Sequence, residues 1–203
     1  MAGRAEFFEA RAARWEETCY PPEVRARLEA FLPHFGIGLG EWVLDVGTGP
    51  GILVPYVHRL VGPEGRIVAL DLVRAMTVEA SKKCAAPWGM VLQADVHAIP
   101  CRSGVFDRVL CFAAFPHFKE QPRALAEMAR VLKPEGELII AHLMSREELA
   151  QHHATHEDVR RDVLPDARTM TFLMRAAGFH VRTLVDEPGR YLLKAVRSCT
   201  VAP

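Results

Sequence analysis

VLDVGTGPGIL, residues 43 to 53, is an apolar, β-branched run interrupted by one acid, Asp45, and broken at its end by glycines at 47, 49 and 51. Such a run passing straight into glycines reads as a buried strand turning into a helix. Glycine has no Cβ and tolerates positive φ, so a chain stripped of side chains at alternate positions lets a flat ligand pass directly over its backbone. Without a ligand, the same residues describe a tight strand-to-helix turn.

The flanking sequence repeats this alternation. Short apolar runs with β-branched residues lie at 42–46, 66–70, 89–93, 107–112 and 137–142, and two more at 179–185 and 190–197. Helical periodicity fills 50–61, 73–85 and 121–132, a shorter connection covers 94–106, and a further helix over 167–177 ends at Gly178. Strands alternating with helices predict an α/β fold: a Rossmann-like, seven-stranded, mostly parallel sheet with helices on both faces. The last two runs are separated only by Asp186, Glu187, Pro188 and Gly189, which predicts an antiparallel C-terminal hairpin. Two amphipathic helices, 4–17 and 22–35, precede the first strand, divided by Pro21 and Pro22. Ser145 with Glu148 is a capping box that starts a helix over 146–156. The rest of 143–166 has no clear place in the alternation. With no internal repeat or low-complexity linker, residues 1–203 read as a single domain.

Half of the residues are apolar and the formal net charge is zero. That balance gives no electrostatic reason to expect nucleic acid or a membrane surface as partner. No stretch has the apolar length that spans a bilayer, and the N-terminus lacks the apolar core of a secretory signal. Cys19, Cys84, Cys101, Cys111 and Cys199 are odd in number, scattered and without a CxxC pair, so they read as core fillers in a reducing cytoplasm. The expected location is cytoplasmic.

The glycine spacing narrows the ligand. A dinucleotide fingerprint would need a third glycine where Ile52 stands, and a phosphate loop would need a lysine, which is absent between residues 41 and 81. The pattern Asp-x-Gly-x-Gly-x-Gly favours a nucleoside without a pyrophosphate. Two more acids follow the next two strands: Asp71, where a carboxylate can take both hydroxyls of a ribose, and Asp95, placed to accept from an exocyclic amine with the Val96 N–H beside it. One strand-end acid alone is as readily a helix N-cap; three in succession are harder to explain that way.

The ordered set VLDVGTGPG, IVALD, QADVHAIP, FDRVLCFAAFPHF and RALAEMARVLKPEGELIIA resembles the class I S-adenosylmethionine-dependent methyltransferases. The resemblance runs from about residue 40 to 142 and, through the hairpin, to 197. It is greatest to the branch that methylates small metabolites, the ubiquinone/menaquinone C-methyltransferase type. It implies S-adenosylmethionine as methyl donor and S-adenosylhomocysteine as product. Asp45, Gly47, Thr48, Gly49 and Gly51 would face the methionine part, Asp71 and Leu72 the ribose, and Asp95 and Val96 the adenine. It also implies that residues 1–35 form a lid and that 143–166 is an acceptor-side insertion. The Asn/Asp-Pro-Pro-Tyr motif of methyltransferases that act on base amines is replaced here by CFAAFPHF, which points to a small-molecule acceptor.

Methyl transfer from a sulfonium is an in-line displacement on an activated carbon. It needs alignment and exclusion of water, and a base only where the nucleophile arrives protonated. Phe112, Phe115 and Phe118 around Pro116 are candidate pocket walls or core aromatics, and His117 is a candidate base. Four histidines crowd into 142–156. His142 ends the fifth strand, and His152 and His156 share the i, i+4 spacing of metal ligands, so His142 and His152 are further catalytic candidates and His142, His152 and His156 candidate ligands of a divalent metal. The following charge run, HEDVRRD, reads as a solvated face, with Arg160 and Arg161 able to meet an acidic acceptor. Two other functions fit the same residues: a donor-binding subunit without turnover, and a metal- or metalloid-handling protein. A homodimer stays open.

Overall fold

A computed structural model describes residues 4–198. Its seven strands are β1 (Trp42–Val46), β2 (Arg66–Asp71), β3 (Gly89–Gln93), β4 (Phe106–Phe112), β5 (Leu132–His142), β6 (Phe179–Glu187) and β7 (Arg190–Arg197). They form one sheet in the order β3-β2-β1-β4-β5-β7-β6. Each strand pairs parallel with its neighbour except β7, which runs antiparallel to both β5 and β6. The Rossmann-like sheet with its antiparallel C-terminal hairpin is therefore present, and Pro188 and Gly189 make the two-residue turn.

Alternation along the strands divides the core. Leu44, Val46, Val109, Cys111, Leu138 and Ile140 pack on one face against α6 (Gln121–Val131) and α8 (Ala167–Ala176). Val43, Ile67, Leu110, Phe112, Ile139 and Ala141 pack on the other against α3 (Pro22–Phe31) and α4 (Val54–Val61). Parallel strands covered on both faces need apolar residues at nearly every position, as β1 and β4 have. The chain crosses from strand to helix at the carboxyl ends of β1, β2 and β4, which is where an open α/β sheet offers a crevice.

Several local readings change. The expected helix 4–17 breaks into α1 (Arg4–Glu9) and α2 (Ala12–Cys19). At the break the Arg11 guanidinium donates to the Phe7 carbonyl at 3.0 Å and lies 3.8 Å from the centre of the Phe7 ring, while the Arg11 N–H turns to Phe8. The strand expected from 137 begins at Leu132, which pairs with Phe106 across a register shift. The helix after the capping box, α7 (Arg146–Ala154), stops two residues early, so His156 lies beyond it. Of the cysteines, Cys84 and Cys111 are buried, Cys101 is half-buried and Cys19 is exposed; all four are free thiols, and Cys199 lies outside the described residues.

Candidate functional site

The strand ends open onto a cavity of about 420 Å³, well within the size of small-ligand sites. Its wall is assembled in chain order from the strand ends and the residues beyond them: Asp45, Gly47, Thr48 and Gly49 at β1; Asp71 and Leu72 at β2; Asp95 and Val96 past β3; Phe112, Ala114, His117 and Phe118 at β4. Phe8, Trp15 and Tyr20 from the N-terminal helices complete it. Eight of the nine expected donor-binding residues thus line one cavity; Gly51 does not.

The three glycines do not share one reason. All sit at positive φ, 66°, 55° and 77°. At Gly47 a Cβ would overlap the methyl of Ala114, and at Gly51 it would come within 3.0 Å of the Ala80 backbone on α5 (Arg74–Ser81), so both serve packing between elements. Only at Gly49 would a Cβ meet open space. Of the three, Gly47 and Gly49 line the cavity, and Gly49 alone leaves open space where a Cβ would stand.

The acids are held differently as well. Asp45 is 2% exposed and accepts a 2.6 Å hydrogen bond from the Thr48 hydroxyl; burial pushes its carboxyl up to about 7. Asp71 accepts the N–H of Val73 on one oxygen and the N–H of Gly49 on the other, each at 2.8 Å. Burial raises its pKa and these backbone donors oppose the rise. The Asp71–Gly49 bond ties the end of β2 to the glycine turn of β1. Asp95 is the N-cap its position allowed: Oδ1 takes the His97 N–H at 2.9 Å and faces His97 Nδ1 at 2.5 Å. Burial works against its ionised form, but the His97 contacts hold the carboxyl below its ordinary value.

The histidines do not gather as expected. His117 lines the cavity, whereas His142, His152 and His156 do not. The His152 and His156 rings lie 5.4 Å apart, yet among the described residues no three His, Cys, Asp or Glu side chains converge on a point able to hold a metal ion. The divalent-metal expectation for His142, His152 and His156 is corrected accordingly. His142 projects from β5 on the face that carries Leu138 and Ile140, with a buried Nδ1 that has no hydrogen-bond partner. Burial holds it down to about 3, so it stays neutral.

Two features escaped the sequence. Asp162, inside the charge run read as solvated, is 3% exposed, and its Oδ2 lies 2.7 Å from His117 Nδ1. Its backbone carbonyl accepts from His153 Nδ1 at 2.5 Å. The turn after α7 buries Val159 and Leu164, and that folds the acid back beneath the cavity edge. A run of charges carries no periodic sign of one buried member. The second feature is Lys83, which bonds the Pro50 carbonyl of the glycine turn at 2.7 Å and pairs with Glu16 on α2. Glu16 also meets Arg25 at 2.8 Å, so one carboxylate fastens the N-terminal helices to the site.

Residues 44–140 match a family model described as a methyltransferase domain. The chain is 29% identical over 158 residues to an uncharacterized 37.1 kDa protein in transposon TN4556 of Streptomyces fradiae, covering 72% of this chain and 45% of that protein. It is 33% identical over 110 residues to the ubiquinone/menaquinone biosynthesis C-methyltransferase of Marinomonas sp., covering 52% of this chain and 43% of the relative. It thus spans under half the length of both. A SAM-dependent methyltransferase of Aquifex aeolicus superposes with a TM-score of 0.70 at 26% identity, over 83% of this chain and 88% of the other.

Proposed function

The chain belongs to the class I S-adenosylmethionine-dependent methyltransferase superfamily, and from that premise we propose that it moves a methyl group from S-adenosylmethionine to a small-molecule acceptor. The observation that carries the reading is the single cavity walled in chain order by the Asp45–Gly49 turn, Asp71, Asp95 and His117. The donor set suits this molecule. Asp45 supplies a buried carboxylate for a cationic amino-acid end, Gly49 leaves room beside it, and Asp71 keeps oxygen lone pairs for ribose hydroxyls. Asp95 uses Oδ1 for His97, which leaves Oδ2 to face an exocyclic amine.

The acceptor approaches from the side of Phe112, His117 and Phe118, and the mostly apolar aromatic wall together with zero net charge favours a small molecule over nucleic acid. Helices α1 and α2 act as the lid: Phe8 and Trp15 shut water out, and Glu16 with Lys83 holds them against the glycine turn. No helix among the described residues is long and apolar enough to cross a membrane.

Calorimetry with S-adenosylmethionine, S-adenosylhomocysteine and NAD tests the donor assignment. Both sulfur nucleosides should bind and NAD should not; binding of NAD alone would overturn it. Incubation with methyl-labelled donor and a metabolite extract tests turnover, and a labelled macromolecule in place of a small product would refute the acceptor class.

A further inference from the structure

His117 lines the cavity just beyond β4, and its Nδ1 is held 2.7 Å from a carboxylate that is almost wholly buried. We propose that Asp162 and His117 form a proton-abstracting pair, so that the acceptor is a molecule whose nucleophilic atom arrives carrying a proton. The inference rests on the methyl-transfer reading above and narrows its substrate class.

The argument starts from cost. Burying a carboxylate is expensive unless its partners justify it, and a buried ion pair is poor evidence of a purely stabilising role. Asp162 is reached from a turn 45 residues further along the chain than His117, and it is fixed from both sides. Its carboxylate faces His117, and its backbone carbonyl is held by the buried His153. A carboxylate accepts only, so its neighbour nitrogen must carry hydrogen: in its neutral form His117 is then the Nδ1–H tautomer, whose Nε2 carries the basic lone pair. The Phe8 ring lies edge-on to His117 with centroids 5.1 Å apart, which covers the imidazole from the lid side. A histidine placed only for packing would not need a buried carboxylate to select its tautomer.

The step balances without any further reactant. The acceptor X–H gives its proton to His117 Nε2 as the X lone pair attacks the methyl carbon. The C–S bond breaks with its electrons passing to sulfur, which leaves a neutral thioether, and the imidazolium, stabilised by Asp162, later returns the proton to solvent. Hydroxyl compounds, carbon acids and ammonium groups meet this description; an acceptor already anionic would gain nothing from the pair. Asp162 is a positioning residue, because it acts through His117.

Other ionisable groups surround the ring: His153 from α7, with ring centroids 5.1 Å away, Asp71 from the end of β2, and His142 from β5, with His152 beyond His153. The pH arm of the test must therefore be read against variants. Long-range proton–nitrogen NMR of the full chain with S-adenosylhomocysteine bound reads the tautomer directly. The Nδ1–H form is expected for His117 in the wild type, and loss of that preference in Asp162→Asn. An Nε2–H imidazole in the wild type overturns the proposal whether or not an acceptor is in hand.

Transfer of label from methyl-labelled donor into one fixed metabolite extract gives the second readout. Asp162→Asn and His117→Gln should each lower it about 10²- to 10⁴-fold, the usual worth of a positioned base. The double variant should fall no further than the worse single one, and S-adenosylhomocysteine affinity should stay within about twofold. The rise of rate with pH should vanish in His117→Gln. Independent, additive losses or an unchanged pH profile would refute the pair. Failure of the wild type to bind either sulfur nucleoside would instead refute the methyl-transfer reading.

Discussion

Exchanging Gly47 and Gly49 separately for alanine should separate packing from ligand room. Both residues sit at positive φ, so each alanine takes on the left-handed penalty of roughly 1–2 kcal/mol. At Gly47 the new methyl also overlaps that of Ala114, and overpacking adds roughly 1–3 kcal/mol. Gly47→Ala should therefore lose roughly 2–5 kcal/mol, a fall of roughly 4–20 °C in Tm for a chain of this size, against roughly 2–8 °C for Gly49→Ala. The next atoms around position 47, Ala114 Cα and Phe118 Cε1, lie at 3.8 Å, an ordinary contact. Adding Ala114→Gly to Gly47→Ala thus removes the overlap and should restore most of the overpacking share, less roughly 0.5–1 kcal/mol for the new glycine. Calorimetry with S-adenosylhomocysteine should show the opposite ranking, because only the Gly49 methyl enters open cavity. Thermal melts in which Gly47→Ala is no worse than Gly49→Ala, or in which Ala114→Gly deepens the loss, would sink the assignment of roles.

Asp45 should make stability depend on pH. Its folded pKa, about 7, lies above the unfolded 3.8, so its contribution is full below the unfolded value and is lost as pH rises through about 7. Urea titrations of ligand-free protein at pH 5 and pH 8 should show this loss, and Asp45→Asn should flatten that part of the profile. His142 has the reverse sign: with a folded value near 3 against 6.5 unfolded, it lowers stability as pH falls between those values, and His142→Gln should relieve part of the acid sensitivity. Asp71→Ala should weaken the donor by roughly 1–3 kcal/mol, the scale of hydrogen bonds to a charged group, and unchanged affinity would remove it from the ribose role. Lys83→Met should speed hydrogen exchange in α1 and α2 in the ligand-free protein, since it removes the tie between Glu16 and the Pro50 carbonyl; equal exchange would show the tie to be idle.

What could be read without coordinates follows from where periodic burial decides. β1 and β7 fall on their expected bounds because each is a short, mostly buried run with a turn beside it, Gly47 just after β1 and Pro188 with Gly189 just before β7. The strand-end wall of the cavity was legible because each contributor comes at a fixed place, the end of a strand. The surroundings of His117 were not. Asp162 lies among charged neighbours, in a turn whose course depends on Val159 and Leu164 finding the core, and hydropathy alone cannot separate it from exposed Asp158. The histidine cluster misled for the converse reason: nearness in sequence at helical spacing says nothing of a third ligand when the helix stops at Ala154. At Gly47 and Gly51 a packing requirement from another element leaves the same mark in the sequence as a ligand does.

The stretch between Ser145 and Asp162 is suspended from two fixed ends. At the first, Glu148 accepts from the N–H groups of Ser145 and Gly189, each at 2.8 Å, and docks the start of α7 on the hairpin turn. At the second, Asp162 and His153 close onto His117. Little of the exposed surface between those anchors supports the sheet. The segment is accordingly an exchangeable cassette: its length and outward side chains can drift, or be grafted from another sequence, while both clasps are kept. Under the proposed function, a new acceptor preference would then arise by rewriting about a dozen residues, with the strand-end wall of the cavity untouched.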